Sequence, residues 1–218
     1  MVALLDSNVF KSWTTTCSCR NVQSGGIRAN LARTARSQVN SCMIRTMFTL
    51  RFDIAEISHW AAKYSYPQGD AVPMEIGNKA RKAGVLTREE FLQVARWKSA
   101  RPSKHHEKND EQMVHDVTRF AFSTSSELLR LRSLTLLTGV SDRTASAILH
   151  MCHRDPYPMM DVRAFGALGV EKRPRNWSAV WPEYTKACRE LADRASVDMR
   201  ILDRALWAYS DAHGIVAT

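Results

Sequence analysis

The sequence lacks any uninterrupted run of the roughly 20 apolar residues that a helix needs to span a bilayer. Charged residues bound its two most apolar stretches, 133–141 and 144–153. Paired CxxC units are also absent, which argues against a disulfide framework and favours a reducing compartment with inert thiols. The five cysteines, an odd number, are Cys17, Cys19, Cys42, Cys152 and Cys188. We therefore expect a cytoplasmic protein that is not secreted and has no membrane partner.

Acidic residues are scarce in the first 46 positions, which hold six Lys and Arg side chains and one acid, Asp6. This segment carries +5 of the total formal charge of +9, so +4 belongs to the rest of the chain. It is rich in Ser, Thr, Asn and Arg and shows no apolar periodicity, which predicts disorder. Two origins stay open: a segment resembling an organelle transit peptide, or translation that truly starts at Met43 or Met47, which we favour.

Alternating strand patterns and internal repeats are absent from the remaining chain, where apolar residues recur at helical spacing from Phe48 onward. Thr87 and Glu90 form a capping box that predicts a helix to about Lys98, followed by a polar stretch, 99–109. We predict an all-α protein, with a disordered segment 1–46, a helical domain 47–212 and a C-terminal tail 213–218.

The segment 137–145 joins two apolar helices and predicts a tight hairpin at about 128–152. Gly139 supplies the backbone freedom that the turn needs, Val140 fills the space between the helices, and Thr144 caps the second helix. A turn of this kind presents backbone N–H groups at a helix N-terminus, where they bind phosphate without reading base sequence.

These residues, with the segment 155–164 that follows them, carry a family resemblance. The pattern Leu-x-Gly-Val-x-x-x-Thr-Ala, then Asp-Pro-Tyr-Pro-Met-Met-Asp-Val-Arg-Ala, resembles the helix-hairpin-helix DNA glycosylase superfamily. The resemblance covers about 40 residues. It implies a two-lobed helical bundle, a hairpin that grips the DNA backbone, and Asp161 as the catalytic aspartate. The backbone-binding residues it implies are Gly139, Val140, Ser141, Arg143 and Thr144.

Two positions depart from the family pattern. Ser141 stands where family hairpins usually have a second glycine, so the turn is either less ideal or contacts phosphate through a hydroxyl. Arg143 stands where lysine-dependent members have their lysine, 18 positions before Asp161. A guanidinium stays protonated and cannot form a Schiff base, so we expect a monofunctional enzyme. No four-cysteine cluster is present, and we expect no iron–sulfur centre, other cofactor or metal.

Asp161 has two interpretations. In a glycosylase its carboxylate would stabilise the positive charge that develops on the sugar and would orient the attacking water. Aspartate is also a preferred N-cap, so Asp161 could simply cap a helix from Val162 to Leu168. The hairpin at the expected distance favours catalysis.

A base must leave the duplex to reach such a site, and aromatic side chains would stack on it. The aromatic candidates also fit a core, and the cations around Trp97 also fit a solvated loop. The candidates for base-pocket or DNA contact are Trp60, Tyr66, Trp97, Lys98, Arg101 and Tyr157.

The sequence thus predicts a monomeric, nucleoid-associated glycosylase that acts on double-stranded DNA and releases a damaged, mismatched or modified base. The alternatives are a non-catalytic hairpin protein that binds duplex DNA, and a degenerate family member that serves as a protein-interaction scaffold.

Overall fold

The computed structural model describes residues 47–67 and 69–218, so the prediction for residues 1–46 lies outside the described residues. Within this part of the chain the structure is all-α, as predicted, with no strand. A 3-10 turn at Ile54–Glu56 precedes ten helices: α1 Ile57–Ala62, α2 Ala71–Ala83, α3 Arg88–Lys98, α4 Ser103–His106, α5 Glu111–Ser123, α6 Glu127–Leu134, α7 Asp142–Cys152, α8 Val162–Ala167, α9 Trp177–Ala195 and α10 Met199–Ala212. None of the described helices combines the length and apolar character that crossing a membrane requires.

Side-chain caps explain where several of these helices begin. The predicted capping box is present before α3, because the Thr87 hydroxyl accepts from the Glu90 N–H while the Glu90 carboxylate accepts from the Thr87 N–H. Asp110, Ser126 and Asp198 cap α5, α6 and α10 in the same way, each accepting an N–H of the first turn. Local polar chemistry therefore fixes the starts of these four helices.

Helix α7 lies at the centre of the packing, between α2, α3, α6 and α9. It is buried on nearly every side, and its core residues include Ala145, Ile148 and Leu149, which are fully buried. The approach of α2 depends on Gly77, since a Cβ at that position would lie 2.0 Å from the Met151 carbonyl oxygen. No local sequence pattern predicted α2, which carries Pro73 in its first turn and Gly77 at this contact.

The two ends of α7 serve different neighbours. Its N-terminus meets the turn that follows α6, and its C-terminus leads through residues 153–160 to α8. Helix α10 packs against α1 and α8 and brings a second group of polar residues toward the start of α8. This arrangement places the hairpin, the end of α3 and the start of α8 around one site.

Candidate active site and hairpin groove

The turn between α6 and α7, residues 135–141, has the tight form that the sequence predicts. Gly139 adopts a left-handed backbone, with φ of 84°. A Cβ at this position would also lie 2.8 Å from side-chain atoms of both His105 and His106, so the close approach excludes larger residues as well. Val140 is buried beneath the turn.

The expected cap of α7 was assigned to the wrong residue. Helix α7 begins at Asp142, and Ser141 is its N-cap, with the hydroxyl accepting the Thr144 N–H at 3.4 Å. Thr144 lies inside the first turn instead, and its side chain is buried. The residue that stands in place of a second glycine therefore has a structural use, because a serine hydroxyl satisfies an N–H that would otherwise be unpaired.

Two buried side chains from the predicted polar stretch hold the hairpin turn. The Asn109 amide accepts the Thr138 N–H at 2.7 Å and donates to the Thr138 carbonyl at 3.0 Å. The Nε2–H of His106 donates to the Gly139 carbonyl at 3.0 Å. The sequence indicates only a polar stretch here, since polar residues give no local sign that they are buried. The turn is therefore fixed by long-range hydrogen bonds as well as by its own conformation.

Asp161 is the N-cap of α8, and its Oδ1 accepts the Arg163 N–H at 3.0 Å. The loop before Asp161 is hydrogen-bonded to buried residues on two helices. The fully buried Tyr184 hydroxyl donates to the Met159 carbonyl at 2.8 Å, and the Ser146 hydroxyl accepts the Met160 N–H at 2.9 Å. The position of the Asp161 backbone is thus set by buried groups on α9 and α7.

The second oxygen of Asp161, Oδ2, faces two cations. Lys98 Nζ lies 3.1 Å from it and Arg143 Nη2 lies 3.6 Å from it, while the Asp161 side chain is 17% exposed. Burial raises the pKa of the Asp161 carboxyl, but the charge and hydrogen bond of Lys98, the Arg163 N–H and the charge of Arg143 together bring it below its ordinary value. The carboxyl is therefore an anion at neutral pH.

Asp161 opens into a pocket of about 190 Å³, which we call the acid pocket. Its walls combine four aromatic rings with charged side chains from α3, α7, α8 and α10. The lining residues are Tyr64, Tyr66, Trp97, Lys98, Arg143, Met159, Asp161, Arg163, Ala164, Arg200, Asp203 and Trp207. A carboxylate in a partly apolar, ring-lined pocket is the kind of site that binds a small planar molecule.

A second cavity, of about 440 Å³, lies beside the hairpin turn and shares Lys98 and Arg143 with the acid pocket. We call it the hairpin groove. Its lining is polar and cationic: Lys98, Ser99, Arg101, Pro102, Gly139, Ser141, Arg143 and Thr144. The shared cations place the groove next to the carboxylate.

Comparison with known proteins gave no match. The sequence matches no family model, and it is significantly similar to no curated protein and to no solved structure. The interpretation of the site therefore depends on the residues and on their geometry.

The structure brings most of the predicted site residues together. Tyr66, Trp97 and Lys98 line the acid pocket with Asp161 and Arg143, and Arg101 lies in the hairpin groove. Two candidates lie elsewhere. Tyr157 is 1% exposed and donates to Glu127, and Trp60 packs against Phe52 and Tyr209 without lining the acid pocket.

The contribution of α10 to the acid pocket was not predicted from the sequence. Arg200, Asp203 and Trp207 line the acid pocket although they follow Asp161 by some 40 residues. Their spacing, i, i+3 and i+7, places them on one helical face, so a polar stripe on an otherwise amphipathic helix was the available signal. Nothing in that stripe indicates which other helix it meets.

Proposed function

We propose that this chain is a monofunctional DNA glycosylase that hydrolyses the N-glycosidic bond of a base turned out of duplex DNA, with Asp161 as the catalytic carboxylate. One observation carries the proposal. The ionised Asp161 carboxylate opens into a ring-lined pocket, and two cations, Lys98 and Arg143, line both this pocket and the hairpin groove. We further propose that the helices form the two-lobed, helix-hairpin-helix fold of that superfamily.

The chemistry requires an anion beside the sugar. As the bond between C1′ and the base breaks, positive charge develops on the sugar, and a nearby carboxylate stabilises that charge. One water adds its hydroxyl to C1′, and its proton, taken up by the Asp161 carboxylate, ends on the departing base. Because the Asp161 side chain is only 17% exposed, the electrostatic stabilisation is stronger there than it would be in solvent.

The hairpin groove accounts for the grip on DNA. Three positive charges, those of Lys98, Arg101 and Arg143, lie around the turn. The N-terminus of α7, where the helix dipole is positive, borders the same groove. Such donors bind phosphate oxygens without reading sequence. A phosphate held there lies next to the carboxylate because two of the three cations line both cavities.

The decisive experiment compares Asp161→Asn with the unaltered protein on a panel of duplexes, each with one modified base. Asparagine caps a helix about as well as aspartate, so the substitution removes the charge while keeping the cap. We expect base release, detected by alkaline cleavage at the abasic site, to fall by at least about a hundredfold, a typical loss for one electrostatic catalytic group. Duplex binding should stay nearly unchanged.

Asp110→Asn is the matched control, since Asp110 is also an N-cap but lines neither cavity. It should leave base release intact. Equal activity of Asp161→Asn and the unaltered protein would remove Asp161 from the mechanism.

A second candidate function, non-catalytic binding of duplex DNA, is favoured by one observation. Asp161 already satisfies a structural role, because Oδ1 caps α8 and Oδ2 pairs with Lys98. Duplex binding without release of any base from the panel would support this function. Absence of binding to both duplex and single-stranded DNA at low salt would favour the interaction scaffold instead.

A further inference from the structure

The end of the acid pocket formed by α10 carries a hydrogen-bonding pair that the hydrolysis does not use. Arg200 is 11% exposed, and four of its five N–H groups are already engaged. Its Nε and Nη2 donate to Asp70 at 3.0 and 2.6 Å, Nη2 also donates to Tyr64 at 3.1 Å, and Nη1 donates to Asp203 at 2.6 Å. The second N–H on Nη1 has no partner among the described residues and is left for a ligand.

Asp203 offers the complementary group. Its Oδ2 accepts from Arg200, whereas Oδ1 has no hydrogen-bond partner among the described residues and is not among their sealed polar atoms. Asp203 lines the acid pocket beside Arg200. A carboxylate only accepts and a guanidinium only donates, so a ligand at this end needs an N–H donor next to an acceptor on one edge.

The volume of the acid pocket favours a single ring over a fused pair. A cavity of roughly 150 Å³ holds a benzene-sized ring. The acid pocket, at about 190 Å³, is only slightly larger. A pyrimidine has one six-membered ring and fits this space, whereas a purine carries a second fused ring and needs correspondingly more room. The aromatic side chains Tyr66, Trp97 and Trp207 supply flat surfaces for a single ring.

The charge of the pocket lining further restricts which bases can bind. The acid pocket has four cationic side chains and two carboxylates: Lys98, Arg143, Arg163 and Arg200 against Asp161 and Asp203. This excess of positive charge disfavours a base that is itself a cation, such as one alkylated on a ring nitrogen. It suits an uncharged base with carbonyl oxygens.

We propose that the base turned into the acid pocket is an uncharged pyrimidine with an intact hydrogen-bonding edge, of the uracil or thymine kind, read by Arg200 and Asp203. The ring N–H donates to Asp203 Oδ1, and the neighbouring carbonyl accepts from Arg200 Nη1. This inference rests on the proposed glycosylase function and names its substrate class. Arg200 and Asp203 are specificity-determining residues in it, separate from the catalytic Asp161.

The experiment measures base release from duplexes that differ in one nucleotide: uracil or thymine opposite guanine, 3-methyluracil, hypoxanthine and 7-methylguanine. We expect release of the edge-intact pyrimidines and release of 3-methyluracil that is slower by about tenfold or more, because its methyl group replaces the N–H that Asp203 accepts. The purines should be released more slowly still. Release of purines but not of pyrimidines overturns the substrate class while leaving the glycosylase function standing. Absence of release from every duplex overturns both.

The variant Asp203→Asn distinguishes a role of Asp203 in recognising the base from a purely structural role. If Asp203 reads the base, the variant slows release of uracil but not of 3-methyluracil, and the ratio of the two rates collapses. A purely structural role would slow both substrates equally and leave the ratio unchanged, which would overturn the assignment. Asp70→Asn is the matched control, because Asp70 also holds Arg200 but does not line the acid pocket. It should preserve the ratio.

Discussion

At the scale of single residues, Asp161 combines two uses of one side chain. Oδ1 serves the helix by accepting the Arg163 N–H, while Oδ2 is directed to the cations at the pocket. The first contact orients the carboxylate, and the second keeps it ionised. The capping role and the proposed catalytic role therefore do not compete for the same oxygen, and the cap gives the rigid placement that a catalytic group needs.

The Lys98 charge is expected to set the acid limit of activity. In the proposed mechanism activity needs the Asp161 carboxylate, so we expect activity to be lost as pH falls through the pKa of that group, which lies below its ordinary value. Lys98→Gln keeps a hydrogen-bond donor but removes the charge that lowers this pKa, so the acid limb of the rate profile should move to higher pH. Single-turnover base release at saturating DNA, measured across the acidic range, checks this.

Arg101→Gln serves as the matched control for Lys98→Gln. It removes one positive charge from the same hairpin groove, but Arg101 makes no described contact with Asp161. Its acid limb should coincide with that of the unaltered protein. If Lys98→Gln leaves the limb in place as well, the ionisation that limits activity belongs to another group.

At the scale of elements, the hairpin depends on residues outside it. Asn109→Ala removes both hydrogen bonds to Thr138 and leaves buried backbone groups unpaired, which should lower the free energy of unfolding by about 1–3 kcal/mol. Duplex binding should weaken as well, since the turn loses its anchor. Denaturant unfolding and a binding titration measure the two effects. Asn78→Ala, on the exposed face of α2, is the control and should change neither.

The helices that carry their own start signals could be predicted from sequence. The capping box at Thr87 and Glu90 and the cap at Asp161 are local patterns, and both are present in the structure. Helix α2 lacks such a signal and contains Pro73 and Gly77, whose use appears only when α7 packs against it. The cap of α7 was placed at Thr144 instead of Ser141 because either hydroxyl suits the local pattern.

The residues of the candidate site likewise divide into those that a local sequence pattern could identify and those that depend on packing. Asp161 and the hairpin residues lie within about 25 positions of one another, so a motif could identify them. The hydrogen bonds from His106 and Asn109 to the turn, and the arrival of Arg200 and Asp203 at the pocket, depend on how α4 and α10 pack. Tyr157 shows the converse: it follows the hairpin closely, but its ring stacks on Trp181 in the core.

At the scale of the whole molecule, cations gather at both ends of α7. The hairpin groove lies at its N-terminus, and Arg81, Lys82, Arg119 and Arg154 surround a cavity at its C-terminus. An 11-residue helix is about 16 Å long, so the two groups are well separated. The second group lies where α2, α5 and α7 end, and positive side chains stabilise the negative ends of helix dipoles. Of the two groups, the one in the hairpin groove lies at a helix N-terminus, where the dipole is positive and attracts anions.

The position of the hairpin groove at a helix N-terminus predicts how salt affects the proposed binding of duplex DNA. Each phosphate contact that is lost reduces the slope of log K against log salt concentration by about 0.9 for duplex DNA. Arg101→Gln should therefore weaken binding to every duplex alike and reduce the slope by about 1, as measured by fluorescence anisotropy over a range of salt concentrations. Arg119→Gln removes the same charge from an exposed site at the far end of α7 and should leave the slope unchanged. Equal slopes for the two variants would mean that DNA responds to the overall charge and does not contact the hairpin groove.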